Sequence, residues 1–335
     1  MKVVQIDPGD EALFEAWFAV LRETDLERWP DRPGWQRAER LAQALDTEGP
    51  EEHRCLLARD DSGQVIGMAD LEMFRRENQH LARLEVRVRP AARRLGVGRA
   101  LVKTAQEIAR SLGRSELGGM DETPVRPGFP DLVTGFAGAL GFAPAMPMAR
   151  RELRLPLAAG PMEALQANPK AAPAGYTMVS FADRWPDAYI ADRCLLGRRM
   201  STDVPQEGQD LDEEVWDESR VRQIEASLAE QNRAKVTTAA RHDASGRLVA
   251  FTDIVIPLGA PEAAWQHDTL VIREHRGHGL GYAVKVANLA AVARANPAVR
   301  SVCTWNATVN DHMIDINEEM GFEVISHSIY WLKRF

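Results

Sequence analysis

LEVRVRPAARRLGVGRALVKTAQEIA, residues 84–109, and DTLVIREHRGHGLGYAVKVANLA, residues 268–290, carry one three-part pattern. A strand-like run ends in valine, at Val88 and at Val271. A loop of the form Arg-x-x-Gly-x-Gly follows, with Arg93, Gly96 and Gly98 in the first stretch and Arg276, Gly279 and Gly281 in the second. A long run of helical character closes each stretch. Glycines let such a loop turn tightly and bring backbone close to a ligand. The N–H groups that open the helix lack partners within it and sit at the positive end of its dipole. That arrangement suits a pyrophosphate. A nucleotide P-loop is excluded, because no Gly-Lys-Ser/Thr follows either loop. A dinucleotide fingerprint is excluded as well, since its third glycine falls on Leu101 or Val284.

Working outward from these loops, the chain repeats itself. Ser62-Gly63 and Ser245-Gly246 lie 183 residues apart, and so do Asp70 and Asp253, Val88 and Val271, and each loop residue with its counterpart. Gly141-Phe142 recurs as Gly321-Phe322. An ordered series of this kind marks two copies of one unit. Composition shifts at AAGPMEALQANPKAAPAG (158–175), rich in alanine, proline and glycine. The expected division is therefore a first domain over 1–157, a connection over 158–175 and a second domain over 176–335.

Each copy reads as strand, two helices, a hairpin, a further strand, the glycine loop and a long helix. The first-copy helices are expected at Asp10–Thr24, Gly34–Leu45 and Gly98–Leu112, and Arg150–Leu157 reads as its closing strand. In the second copy the expected helices are Asp187–Met200, Ser219–Gln231 and Gly281–Ala295. After the long helix the second copy offers a strand, Val299–Trp305, and a helix, Asp311–Met320. The first copy has instead a stretch broken by glycine and proline, where any strand is short. The fold class is α/β, in the α+β sense: twisted mixed sheets flanked by helices, made twice.

The 335 residues are 45% apolar and 27% charged, the balance of an ordinary globular chain rather than a disordered one. No run is long and apolar enough for a membrane span or a signal-peptide core, so a cytoplasmic location is expected, with no membrane partner. The net charge of −8 argues against nucleic acid as a partner. Cys55, Cys194 and Cys303 match no metal spacing and read as reduced core thiols; no metal is expected. Residues 207–218 hold seven acids, read as a solvated loop and helix start, or as a rim that attracts amines. The charge divides unevenly, −2 over residues 1–157 and −6 over the remainder.

On the strength of VRPAARRLGVG, VIREHRGHGLG, and the NEEMGF (317–322) and GALGF (138–142) segments, the chain resembles the GNAT superfamily of acyl-CoA-dependent N-acetyltransferases. The likeness spans nearly the whole chain as a tandem, similar to mycothiol synthase and related actinobacterial enzymes. It implies two GNAT domains, each a sheet whose fourth and fifth strands splay apart to take the pantetheine arm. It also implies acetyl-CoA as co-substrate. Carried over residue by residue, the pyrophosphate falls to Arg93, Arg94, Leu95, Gly96, Val97, Gly98 and Arg99, and in the second copy to Arg276, Gly277, His278, Gly279, Leu280 and Gly281. Val86, Arg87 and Val88, and Thr269, Leu270 and Val271, would offer backbone groups to the arm and the thioester. Asn306 and Asn310 match the family's asparagine-bearing turn. The family's tyrosine acid is missing: its places are held by Ala137 and Asn317, and Asn317 is the candidate to position a water.

Candidate bases come as carboxylate pairs, Asp70 with Glu85 and Asp253 with Asp268, which antiparallel pairing would bring together. Like charges in a buried place raise one pKa toward neutrality. His267 is a further candidate, and pairing of the acids with Arg83 or Arg87 is the competing reading. The resulting expectation is transfer of an acetyl or short acyl group to a primary amine of a small molecule, in the second copy, by a monomer or homodimer. The alternatives are a non-catalytic acyl-CoA sensor and a protein N-acetyltransferase that docks a basic tail on residues 207–218. Acyl-CoA binding without transfer would favour the sensor, and salt-sensitive activity on basic peptides the protein acetyltransferase.

Overall fold

The computed structural model describes residues 1–156, 159–203 and 211–335. The start of the expected connection and Glu207 and Asp210 of the acidic segment lie outside the described residues. In chain order the first half contains β1 (Lys2–Gln5), α1 (Glu11–Arg28), α2 (Arg37–Leu45), β2 (Glu51–Arg59), β3 (Val65–Phe74), β4 (Leu81–Val88) and α3 (Val97–Ser111). Then come β5 (Glu116–Met120), β6 (Thr123–Pro124), α4 (Thr134–Ala139) and β7 (Ala143–Arg154). The second half runs α5 (Ala159–Ala167), β8 (Tyr176–Ala182), α6 (Ile190–Asp203), α7 (Glu218–Glu230), β9 (Arg233–His242) and β10 (Leu248–Pro257). It ends with β11 (Ala263–Val271), α8 (Leu280–Ala295), β12 (Ser301–Ala307), α9 (Asp311–Glu319) and β13 (Glu323–Arg334).

Two compact units result. One holds Met1–Pro147 and Ser326–Phe335; the other holds the described residues from Met148 to Ile325. In the first, β1 to β4 pair antiparallel in sequence order, and β4 pairs parallel with β5. In the second, β8 to β11 do the same and β11 pairs parallel with β12. The closing strands correct the sequence reading. Arg150–Arg154 does not close the first unit: β7 pairs antiparallel with β12, Met148 opposite Ala307 through Arg154 opposite Ser301. The strand that pairs with β5 comes instead from the end of the chain, Tyr330–Arg334 opposite Met120–Glu116. Strand composition does not identify a partner, and the two copies carry similar partner edges, so sequence order alone favours the wrong one.

The cores follow from the helix faces. Asp10 caps α1 by accepting the N–H of Leu13 at 3.1 Å, and Phe14, Trp17, Phe18 and Leu21 recur at helical spacing on its buried side. α8 is apolar nearly all round and buried, which a helix wrapped by its own unit requires. Two described acids of the 207–218 segment do local work. Asp217 caps α7, accepting from Arg220 N–H at 2.8 Å, and Glu214 takes the Trp216 indole N–H at 2.8 Å. Among the described residues no helix is long and apolar enough to cross a membrane, and no cluster of metal-ligating side chains is present.

Candidate active site

Both glycine loops adopt the same backbone. A 3-10 turn, Pro90–Ala92 or Arg273–His275, follows the valine-ended strand. Positive φ then falls at Arg94 (65°) and Gly96 (85°), and in the second copy at Gly277 (82°) and Gly279 (75°). This alternation curls successive N–H groups into a concave nest at the helix start. The first helical bonds run from Ala100 N–H to Gly96 O and from Ala283 N–H to Gly279 O, leaving the preceding donors for a ligand. A Cβ at Gly96 or at Gly277 would meet nothing within 4 Å, so neither cradle is filled there by the protein's own atoms. Leu95, 70% exposed, lies at the lip of the first loop. The geometry fits a diphosphate.

Two motif residues serve purposes other than phosphate contact. The side chain of Arg93 donates to Val88 O at 3.3 Å and forms a two-pronged pair with Glu27 of α1. Arg276 repeats this, donating to Val271 O at 3.1 Å and to Asp203 O of α6 at 3.2 Å. Each arginine braces the loop against the strand end and the first long helix of its copy. The last glycine of each motif admits a neighbouring helix: a Cβ at Gly98 would lie 3.0 Å from Phe136, and one at Gly281 3.1 Å from Ile316. The second cradle has an extra neighbour, the inter-repeat segment. Lys170 Cβ stands 3.4 Å from where a Cβ of Gly279 would be, and its ammonium pairs with Glu319 at 2.8 Å.

Each parallel pair separates early. β4 and β5 pair over Leu81–Arg83 and Glu116–Gly118, and β11 and β12 over Ala263–Trp265 and Ser301–Cys303. Beyond them, Val86–Val88 and Thr269–Val271 run free of that partner, up to the loop. In the second copy Trp265 and Trp305 stack at 5.4 Å, with Arg150 over both rings.

The carboxylate pairs are where the copies part. In the first, Asp70 and Glu85 are direct cross-strand partners. Arg40 reaches both, at 2.8 and 3.5 Å, His53 adds a contact to Asp70 at 2.9 Å, and Arg87 holds Glu85 at 2.6 Å. Burial alone would raise Glu85, but Arg87 and Arg40 outweigh it and keep the carboxyl below its usual range. Burial is likewise overcome at Asp70, by Arg40 and His53. Neither acid is poised to take a proton near neutrality.

The second copy has a bulge at this place. Thr252 pairs with Thr269 and Ile254 with Gln266, so Asp253 faces two residues, His267 and Asp268. Thr252 fixes the bulge: its hydroxyl donates to Asp268 O at 3.1 Å and lies 2.7 Å from the Thr269 hydroxyl, and it accepts from Gln266 Nε2 at 2.6 Å. Asp253 is bonded by the Thr237 hydroxyl. Asp268 has no ion pair among the described residues. Burial pushes its carboxyl up to about 6, with Asp253 and Glu214 adding to the rise and Arg193 opposing it. His267 is exposed.

Asn306 and Asn317 belong to one buried chain of hydrogen bonds that sequence reasoning missed. Lys285 Nζ donates to Asn317 Oδ1 at 2.5 Å, and Asn317 Nδ2 donates to Asn306 Oδ1 at 2.7 Å. Lys285 is 1% exposed, and burial pushes its ammonium down to about 7. A polar residue on the inner side of an otherwise apolar helix was the available signal. Asn310 caps α9, accepting from Met313 N–H at 3.3 Å. In the first copy Asp121 is taken up by Trp331 Nε1 at 2.9 Å and Ile329 N–H at 2.6 Å.

Comparison with known proteins bears on the same elements. Residues 14–121 match the Acetyltransferase (GNAT) family. The chain is 28% identical to a tandem GNAT protein from the clavulanic acid biosynthesis pathway, with a TM-score of 0.79 over 99% of this chain and 98% of that one. A GCN5-related N-acetyltransferase from Sphaerobacter thermophilus is 16% identical with a TM-score of 0.68, covering 99% and 95% of the two chains. No curated protein matches.

Proposed function

The chain belongs to the GNAT acetyltransferases, built as a tandem of two such domains, and we propose that its second copy moves an acetyl or short acyl group from acyl-CoA to a primary amine of a small molecule. We take residues 1–157 and 176–335 as the two sequence copies, exchanging their closing strands. Acyl-CoA supplies the activated acyl group as a thioester. The donors that would hold it are the nests at Arg93–Arg99 and Arg276–Gly281 and the free strand ends at Val86–Val88 and Thr269–Val271.

One observation carries the choice of copy. Asp268 stands unpaired at a bulge beside the splayed strands, with its carboxyl near 6, whereas Glu85 and Asp70 are each neutralised by arginine. At neutral pH Asp268 is ionised and basic enough to take a proton from an incoming ammonium. Asp253, held by Thr237, contributes the negative charge that attracts that ammonium. Asn317 occupies the position of the family's tyrosine acid; bonded to Lys285 and Asn306, it acts on the leaving side only through that chain. The first copy keeps the same nest without a free base, which supports acyl-CoA binding there without turnover. A soak of crystals with acetyl-CoA, with a panel of primary amines assayed for thiol release, tests the reading. Transfer that survives loss of the second nest would overturn it.

A further inference from the structure

Arg193 of α6 is a buried cation with no counter-ion among the described residues. It is 5% exposed, and its Nη1 is buried without any hydrogen-bond partner. Its guanidinium lies over the rings of Trp216 at 4.1 Å, Phe251 at 5.0 Å and Trp185 at 5.6 Å. Among the described residues no carboxylate comes within ion-pair distance of it. The indole N–H of Trp185, wholly buried in the same layer, also lacks an acceptor among the described residues. Buried donors are almost always satisfied, and a buried guanidinium without an acceptor is costly, so this arrangement needs a reason. Ring stacking offsets part of the cost but supplies no acceptor.

The first copy provides an internal comparison. There Arg40 also lies over two tryptophans, Trp17 at 5.3 Å and Trp35 at 4.9 Å, but it closes directly onto Asp70 and Glu85. The same ingredients in the second copy are left apart. Asp253 and Asp268 face Arg193 closely enough to act on it electrostatically, yet neither bonds to it. Phe251 and Leu270, which pack with Trp185, are two residues along their strands from Asp253 and Asp268, so the acids and the cation border one layer between α6 and the sheet. What fits between an unpaired guanidinium and a pair of carboxylates is a molecule with charges of both signs.

We propose that Arg193 is an anion subsite for the acceptor, and that the acceptor is an amine that also carries a carboxylate, of the amino-acid type. Its ammonium faces Asp253 and Asp268, and its carboxylate takes the unbonded Nη1 side of the guanidinium, whose planar fork suits a two-oxygen anion better than a point charge. A zwitterion also leaves the charge balance of the layer unchanged, whereas a plain cationic amine leaves Arg193 unanswered. The assignment rests on reading the second copy as the site of transfer.

The test is calorimetric binding to the full chain with coenzyme A present, using amino acids paired with their decarboxylated twins, such as lysine with cadaverine and phenylalanine with phenethylamine. For at least one pair the amino acid is expected to bind tenfold or more tightly than its twin. Arg193→Met should erase that preference and Arg193→Lys restore part of it. Twins that bind as well as the amino acids in the unaltered protein overturn the assignment without reference to any variant, and so does a preference that survives in Arg193→Met. An aminophosphonate that binds more tightly than its carboxylate analogue overturns the choice of carboxylate. Acetyl transfer is measured alongside. Amino acids that bind without being acetylated leave the subsite standing and remove the transfer reading; amines acetylated without regard to a carboxylate do the reverse.

Discussion

Asp268 is one of two residues that β11 sets opposite the single Asp253 of β10, and burial with that neighbour leaves its carboxyl titrating near 6. A base with this pKa is protonated in acid and free above neutrality. Acetyl transfer by the unaltered protein should therefore rise along a limb centred near pH 6. Asp268→Asn removes the proposed base and should lower kcat/KM by about 10²-fold or more on the plateau, while the limb disappears. The deficit should be greatest at high pH, where the native carboxylate is fully ionised. An unchanged pH–rate profile in the variant would rule Asp268 out.

The two nests share one backbone but differ in what surrounds them, Gly279 having Lys170 of the inter-repeat segment against it and Gly96 nothing. Gly279→Glu adds a carboxylate, and strain at φ 75°, to the second nest. Acetyl-CoA binding there and turnover should both be lost. Gly96→Glu should remove binding at the first nest only. Calorimetric stoichiometry together with rates separates the two. Turnover retained by Gly279→Glu and lost by Gly96→Glu would move the active site to the first copy.

In the first copy the buried cluster of Arg40, Asp70 and Glu85 is a structural charge network. Arg40→Met leaves two carboxyls buried without their shared partner, at a cost of about 3–5 kcal/mol in denaturant unfolding at pH 7. Both acids are held below their unfolded values, so their stabilising contribution is present above about pH 4 and lost as pH falls through the lower folded values. The gap between variant and unaltered protein should accordingly narrow in acid. A gap that stays constant down to pH 3 would show that Arg40 acts by packing alone.

The repeat, the loops and their helices were legible because each depends on local signals: glycine at fixed offsets, helical period, a strand that ends in valine. The carboxylate pairs were legible too, since Asp70 and Asp253 occupy equivalent places. What separates them was not. The bulge that sets His267 and Asp268 opposite Asp253 inserts one residue into a ladder, and nothing in QHDTLV announces an unpaired residue. The roles of Arg40 and Arg193 depend on which carboxylate each side chain reaches, a tertiary matter for long flexible residues. The exchange of closing strands was hidden for a related reason, because pairing partners are chosen by edges that form only on folding.

Among the described residues Lys285 combines deep burial with one hydrogen bond, to a neutral amide, and the Phe322 ring at 5.1 Å as its other neighbour, and no carboxylate answers its ammonium. Its folded pKa, lowered by burial to about 7, lies well under the unfolded value near 10.5. Between those values the unfolded chain binds more protons than the folded one, and stability rises with pH. Below pH 7 both states carry the proton and the full cost of burying the charge is present. The unaltered protein should thus gain about 2 kcal/mol between pH 7 and pH 9 from this residue, at about 1.4 kcal/mol per unit. Lys285→Met removes the charge and should be the more stable protein at pH 7, with its advantage shrinking toward pH 10. It also frees Asn317 and Asn306 to turn their amides, since a donor-only neighbour no longer fixes the carbonyl of Asn317. The variant should then combine higher stability with a raised KM for acetyl-CoA. Urea midpoints across that pH range, with KM measured at pH 7.5, check both halves; a variant destabilised at pH 7 would show that Lys285 is a net stabilising partner of Asn317.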